Sequence, residues 1–136
     1  MALSSTTICL DTDFLINSIK KDPKTQAKLD ELEERGFTSL STTVINAIEL
    51  YIGAYRSKNR EQKIAKVASM IDRLHLLTLN HKSSQLVGEI TYELRSNPIG
   101  EKDLLIAAIV KENGQILITR NTKHFEKVRD LKIESW

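Results

Sequence analysis

Short apolar, β-branched runs alternate along this chain with longer stretches in which apolar residues return every three or four positions, and neither a repeat nor a linker interrupts the alternation. Runs too brief for a helix predict buried strands, and the longer period predicts helices. Thr7-Ile8-Cys9-Leu10-Asp11 reads as a first strand and residues 14–20 as a first helix. Asp22-Pro23 supplies a cap and a proline at the first helical position, so a mostly polar, exposed helix should run to Arg35 and stop at Gly36. Residues 37–41 predict a second strand. Thr42 or Thr43 then caps a helix through Tyr55, with Ile45, Ile48, Tyr51, Ile52 and Tyr55 at helical spacings.

Residues 60–74 predict a fourth helix with Ile64, Val67, Ala68 and Ile71 on one stripe, followed by a short strand at 76–79 and a helix over 82–95. Asn97-Pro98-Ile99-Gly100 breaks the pattern. The run from Leu104 to Val110 is apolar nearly all round, which predicts a buried helix ended by Gly114. Residues 115–119 and 131–134 predict two more strands, the last at an edge. Strands joined by helices favour a parallel sheet with right-handed crossovers, so the expected fold class is α/β.

The 136 residues suit one domain, 1–136, able to bury a core of its own. With 40% hydrophobic and 28% charged residues, and only 5 Gly and 2 Pro, the composition excludes a disordered or collagen-like chain. No apolar run approaches the ~18 residues of a membrane span. Residues 1–7 lack the basic and then apolar stretch of a signal peptide, so the expected location is the cytoplasm. Cys9, the single cysteine, has no partner for an internal disulfide and reads as a small buried hydrophobe. His75, His81 and His124 are scattered without a two-ligand spacing, which argues against zinc. A net charge of +2 is too balanced to announce a nucleic-acid binder. Lys20, Lys21, Lys24 and Lys28, and then Arg56, Lys58, Arg60, Lys63 and Lys66, form two basic stretches that are either solvated helix faces or a phosphate-tracking surface.

The acids are placed less blandly. Asp11 closes the first strand, and open α/β sheets bind ligands at the carboxyl ends of their strands, although an Asp there is equally an N-cap. Asp13 is the better cap for a helix starting at residue 14, which leaves Asp11 without a structural duty. Glu49 shares a helix face with Ile45 and Ile52, where a carboxylate requires either an ion pair from another helix or a bound cation. Asp103 opens the most apolar helix, as a dipole-favoured cap or as a ligand, and Asn121 follows a strand, where Asn commonly forms an Asx turn. Taken together, these positions imply acids from distant parts of the chain converging at one edge of the sheet. Such a cluster repels itself unless it is protonated or neutralised. Hard divalent cations suit oxygen ligands, and Mg²⁺ accepts one or two carboxylates plus waters and phosphate oxygens, which points to phosphoryl chemistry.

Four segments, in order, carry a resemblance. Leu10-Asp11-Thr12-Asp13-Phe14-Leu15-Ile16, Ile48-Glu49-Leu50, Ile99-Gly100-Glu101-Lys102-Asp103-Leu104-Leu105-Ile106-Ala107-Ala108 and Leu117-Ile118-Thr119-Arg120-Asn121-Thr122-Lys123-His124-Phe125 together resemble a PIN-domain ribonuclease of the VapC toxin type, over essentially the whole chain. The resemblance implies a three-layer α/β/α fold with a central, mainly parallel sheet. It implies an endoribonuclease that uses Mg²⁺ or Mn²⁺ held by Asp11, Glu49 and Asp103, to lower the pKa of water and balance charge in the transition state. The family's fourth position, often Asp, is Asn121 here, and Asp13 stands where the family often has Asn. Thr12 and Thr119 lie beside these positions as supporting residues, and Arg56, Lys58 and Arg120 are candidates to hold the RNA backbone. The expected partners are an RNA substrate (tRNA, rRNA or mRNA), a second copy in a homodimer, and a VapB-type antitoxin that inserts near the acidic pocket.

Two other classes stay open at this point. Asp11-Thr12-Asp13 matches the nucleophile and general acid of a haloacid-dehalogenase-like phosphatase, but Phe14-Leu15 follow where such enzymes carry Gly and then Thr or Val. The other class is a PIN-like RNA- or partner-binding module that has lost catalysis with its fourth acid.

Overall fold

A computed structural model describes residues 7–136, so the start at residues 1–7, expected above to carry no signal peptide, lies outside the described residues except for Thr7. The elements run β1 (Ile8–Leu10), α1 (Thr12–Ile19), α2 (Pro23–Glu34), β2 (Leu40–Thr43), α3 (Val44–Tyr55), α4 (Arg60–Asp72), β3 (His75–Leu77), α5 (His81–Glu93), α6 (Glu101–Glu112), β4 (Ile116–Ile118), α7 (Thr122–Phe125) and β5 (Lys132–Glu134). The five strands form one sheet in the order β3-β2-β1-β4-β5. Every pairing is parallel.

Strand alternation divides the interior into two cores, because successive side chains point to opposite faces. Cys9 and Leu117 join Ile90, Phe125 and the buried residues of α6 on one face, whereas Ile8, Leu10 and Ile118 join Phe14, Leu15, Leu32, Leu50 and Val67 on the other. Helices therefore cover both faces, giving the three-layer α/β/α arrangement with a sheet that is wholly parallel. The run from Ile106 to Val110 is fully buried, as its all-round apolar character requires. Cys9 is buried too, and burial beside Asp11 pushes its thiol pKa well up, so it is inert packing.

Local chemistry sets the ends of the helices. Asp22 accepts from the Thr25 amide ahead of Pro23, and α2 stops where Gly36 turns to φ 93°. Gly114 at φ 62° does the same after α6. Thr43 and Asn46 cap α3 reciprocally, as Asn80 and Ser83 cap α5.

Several expectations need correction. Asp11, not Asp13, caps α1: its carboxylate accepts from the Thr12 amide, and the helix begins at Thr12. The second strand lies at Leu40–Thr43 rather than 37–41, because Thr42 and Thr43 pair with β3, Thr43 also serving as the cap of α3. The third strand starts at His75, earlier than 76–79, and the short helix α7 was not anticipated. Gly100 occupies the cap position of α6, so Asp103 lies in the first turn without capping it. On α3 the stripe splits: Ile45 is buried, while Ile48, Ile52 and Tyr55 are 48%, 41% and 56% exposed.

The chain leaves β1 toward β2 and β3 on one side and returns to β4 on the other. The strand order thus reverses between β1 and β4, and a crevice opens beyond the carboxyl ends of these two strands.

Candidate active site

A cleft of about 320 Å³ sits at that crevice, lined by Asp11, Thr12, Asp13, Glu49, Asp103, Arg120 and Asn121. Asp11 enters from the end of β1, which the Asp11 amide locks to β4 through the Ile118 carbonyl at 3.1 Å. Three further donors hold its carboxylate. The Thr12 amide and the Asn46 side-chain amide each donate to Oδ1 at 2.9 Å, and the Thr119 hydroxyl donates to Oδ2 at 2.6 Å. Burial nevertheless outweighs these bonds and pushes the Asp11 carboxyl above its ordinary pKa, with the negative charge of Asp103 adding to the rise.

Asn46 is the hub of this arrangement and is completely buried. Its Oδ1 accepts from the Thr43 hydroxyl at 2.7 Å, which fixes the amide so that Nδ2 donates both to Asp11 and to Thr12 Oγ1. Thr12 Oγ1 passes the chain on by donating to Glu49 Oε1 at 2.9 Å. The other oxygen of Glu49 lies 3.7 Å from Lys102 Nζ, a long contact to a largely exposed lysine. Glu49 thus meets a cation from another helix, as one of its two sequence readings required, but a loosely held one.

Asp103 anchors the other wall. Its Oδ2 accepts from Asn121 Nδ2 at 2.8 Å and lies 2.9 Å from His124 Nδ1. The backbone amide of Asn121 in turn donates to Thr119 Oγ1 at 3.0 Å, so Thr119 links the Asp11 and Asp103 halves. Asn121 spends its side chain on Asp103 and makes no capping bond at α7.

Asp11, Asp13, Glu49, Asp103, Asn121, Thr12, Thr119 and Arg120 therefore come together, Thr119 from just behind the lining. Arg56 and Lys58 do not. Arg56 ends α3, about 10 Å along the helix axis from Glu49 at the usual rise, and Lys58 lines a separate surface depression with Asn59 and Arg60. Sequence reasoning missed Asn46, Lys102 and His124. The spacing of Asn46 from Thr43 matches a capping box, which marked a cap but not a second bond to Asp11.

Oxygen atoms dominate the donor set facing the cleft, which matches a hard divalent cation. Among the described residues no three His, Cys, Asp or Glu side chains stand close enough to enclose an ion between them. A cation here would be held by one or two carboxylates and completed by water and substrate oxygens, the habit of Mg²⁺.

Carboxylates gathered from three separate elements at the switch point of a parallel α/β sheet define a protein that collects hard oxygen ligands in one crevice. Comparison with known proteins makes that class specific. The PIN domain family model matches residues 8–131. Over 129 residues the chain is 30% identical to the tRNA(fMet)-specific endonuclease VapC of Shigella flexneri and 33% identical to Ribonuclease VapC2 of Haemophilus influenzae, covering 93% of this chain and 96% of each relative. The solved structure of VapBC2 from Rickettsia felis, bound to a DNA fragment from their promoter, superposes with a TM-score of 0.86 at 28% identity over 96% of this chain and 99% of that one. The chain belongs to the PIN-domain family and, within it, to the VapC ribonucleases.

Proposed function

We propose that this protein is the toxin of a toxin–antitoxin pair and an endoribonuclease that hydrolyses RNA phosphodiesters with Mg²⁺ or Mn²⁺. The observation that supports this most directly is the convergence of Asp11, Glu49 and Asp103 on one cleft in a chain of the VapC family. When bound, the cation supplies a lowered pKa to water and counter-charge to the transition state. The chain's own contribution is orientation. Thr12, Asn46 and Thr119 fix the Asp11 carboxylate, Asn121 and His124 fix Asp103, and Thr12 turns Glu49 into the cleft. Asp11, Glu49 and Asp103 would face the cation, one or two of them binding it directly and the remainder through water, with Asn121 bonded to Asp103. Water is the nucleophile, so no side chain is required to attack.

The Shigella relative is named for tRNA(fMet), which makes tRNA the first substrate class to test. The Rickettsia neighbour was solved as VapBC2 on promoter DNA, which supports a VapB-type antitoxin as this protein's partner. A groove of about 430 Å³, with Ile16, Ile19, Leu50 and Val67 in it and Lys20, Lys63 and Lys66 beside them, meets the cleft at Glu49 and suits an apolar, acidic segment of such an antitoxin. For a homodimer, the exposed Ile48, Ile52 and Tyr55 offer an apolar surface on α3. The cytoplasm is the proposed setting, and no helix among the described residues is long and apolar enough to cross a membrane.

The deciding experiment incubates purified protein with total RNA and a tRNA panel in Mg²⁺, Mn²⁺ or EDTA, beside Asp11→Asn and Asp103→Asn. Cutting that requires metal and disappears in both variants is the expected result. RNA bound but left intact by wild type and variants alike would overturn the nuclease in favour of a binding module.

A further inference from the structure

Arg120 faces a cleft that it shares with Asp11, Asp13, Glu49 and Asp103, yet among the described residues it forms no ion pair with any of them. An arginine beside carboxylates ordinarily makes short, often bidentate bonds. Here the guanidinium carbon lies 4.2 Å from the ring centroid of Trp136 instead. Stacking of this kind uses the face of the guanidinium and leaves its N–H donors, which lie in the plane, unspent.

Trp136 is itself held from several directions. Its ring meets Phe14 edge-on at 5.0 Å and 70°, and its Nε1–H donates to Thr25 Oγ1 at 3.2 Å. Thr25, fully buried, donates in turn to Asp22 Oδ2 at 3.1 Å. Just upstream, Glu134 is gripped by Arg35 at 2.8 Å and Lys28 at 3.0 Å. The end of the chain is thus fastened to α2 and presents its indole as a platform under Arg120, which lines the cleft.

We infer that Arg120, stacked on Trp136, takes one backbone phosphate of single-stranded RNA at the rim of the acidic cleft, with Trp136 as the positioning residue that keeps the guanidinium from collapsing onto the carboxylates. The inference rests on the proposed RNA substrate and adds the contact that such a cleft requires. A pocket of carboxylates repels a polyanion, and a planar fork of N–H donors at its edge is what brings a phosphodiester in. Lysine keeps the charge at this position but loses the stack and the fork.

The test uses the whole chain and two readouts. Steady-state cleavage of a single-stranded RNA separates KM from kcat, and the intrinsic fluorescence of Trp136, the only tryptophan in the sequence, reports RNA reaching the platform. Arg120→Ala is expected to raise KM about tenfold, the loss of one charge-assisted contact, with kcat changed less than about twofold. The slope of log affinity against log salt should become shallower by about 0.7, one phosphate contact on a single strand. Arg120→Lys should keep the salt slope and restore only part of KM. Trp136→Leu should raise KM and make the salt slope shallower, in the same direction as Arg120→Ala, and Trp136→Phe should recover most of both losses. Because Arg120 is exposed, its variants carry little risk of misfolding even if Trp136→Leu is destabilised. Wild type that cuts RNA beside an Arg120→Ala variant with unchanged KM and salt slope would overturn the inference and leave the nuclease standing. If wild type cuts no RNA, the nuclease fails and the fluorescence titration still decides: a salt-sensitive response to RNA that Arg120→Ala abolishes supports the site, and no response overturns it.

Discussion

Thr119→Val removes one hydroxyl from the centre of the cleft while keeping the shape of the side chain. Thr119 is fully buried, donates to Asp11 Oδ2 at 2.6 Å and accepts from the Asn121 amide at 3.0 Å. A hydrogen bond to a charged group contributes about 1.5–3 kcal/mol and a neutral one about 1 kcal/mol, so losing both should cost about 3 kcal/mol. At an unfolding entropy of about 2.1 cal/mol/K per residue, the 136 residues give about 0.29 kcal/mol/K. The melting temperature should therefore fall by roughly 10 °C. The lost donor also raises the Asp11 pKa further above its ordinary value, because that bond favours the ionised form. Thermal unfolding of metal-free protein by circular dichroism measures the first effect, and repeating it across pH measures the second. Thr119→Ser keeps the hydroxyl and should recover most of the stability. A fall of less than about 3 °C, which is about 1 kcal/mol on the same entropy, or a serine variant no better than valine, would refute the claim that Thr119 links the two halves of the cleft.

Asp103→Asn should abolish most of the rise in melting temperature that Mn²⁺ gives wild type, a rise of about 2.7 kcal/mol in stability at 100 times the dissociation constant; an unchanged metal response would remove Asp103 from the ligand set. Glu134 is held well below the usual carboxylate range, at about 2, chiefly by its bonds to Arg35. A depressed folded-state pKa stabilises the fold above the unfolded value and loses that contribution as pH falls toward the folded one. Glu134→Gln should thus lower the melting temperature at pH 7, with the gap to wild type closing between about pH 4.5 and pH 2, the ordinary glutamate value and the folded one. A gap independent of pH would mean that packing, not charge, fastens the end of the chain.

Much of the framework was legible because it is local. The short apolar run of β1, the Asp22-Pro23 start of α2, the glycine stops at 36 and 114 and the buried run in α6 each depend on neighbours a few positions away. The acids Asp11, Glu49 and Asp103, and Asn121 with them, were legible from their places at strand ends, on an apolar helix face and at a buried helix start, and again through family resemblance, and the fold gathers all four. Which of Asp11 and Asp13 caps α1 was not, since it turns on backbone angles at the strand end that Asp11 adopts to reach the Thr12 amide. Nor was the exposure of Ile48 and Ile52, because helical spacing defines a stripe without saying which neighbours cover it.

Local periodicity and capping chemistry, then, were enough in the sequence to determine an α/β chain, the approximate places of its strands and helices, and the acids that end or interrupt them. Only the tertiary structure decided how those acids are held. Asn46 reaches Asp11 across 35 positions, Thr119 reaches it across 108, and Trp136 reaches Thr25 across 111. Hydrogen bonds and stacking depend on separations of a few ångströms in space. Those separations are set by the parallel pairing of β1 with β2, β1 with β4 and β4 with β5, which brings chain segments together regardless of their distance in sequence.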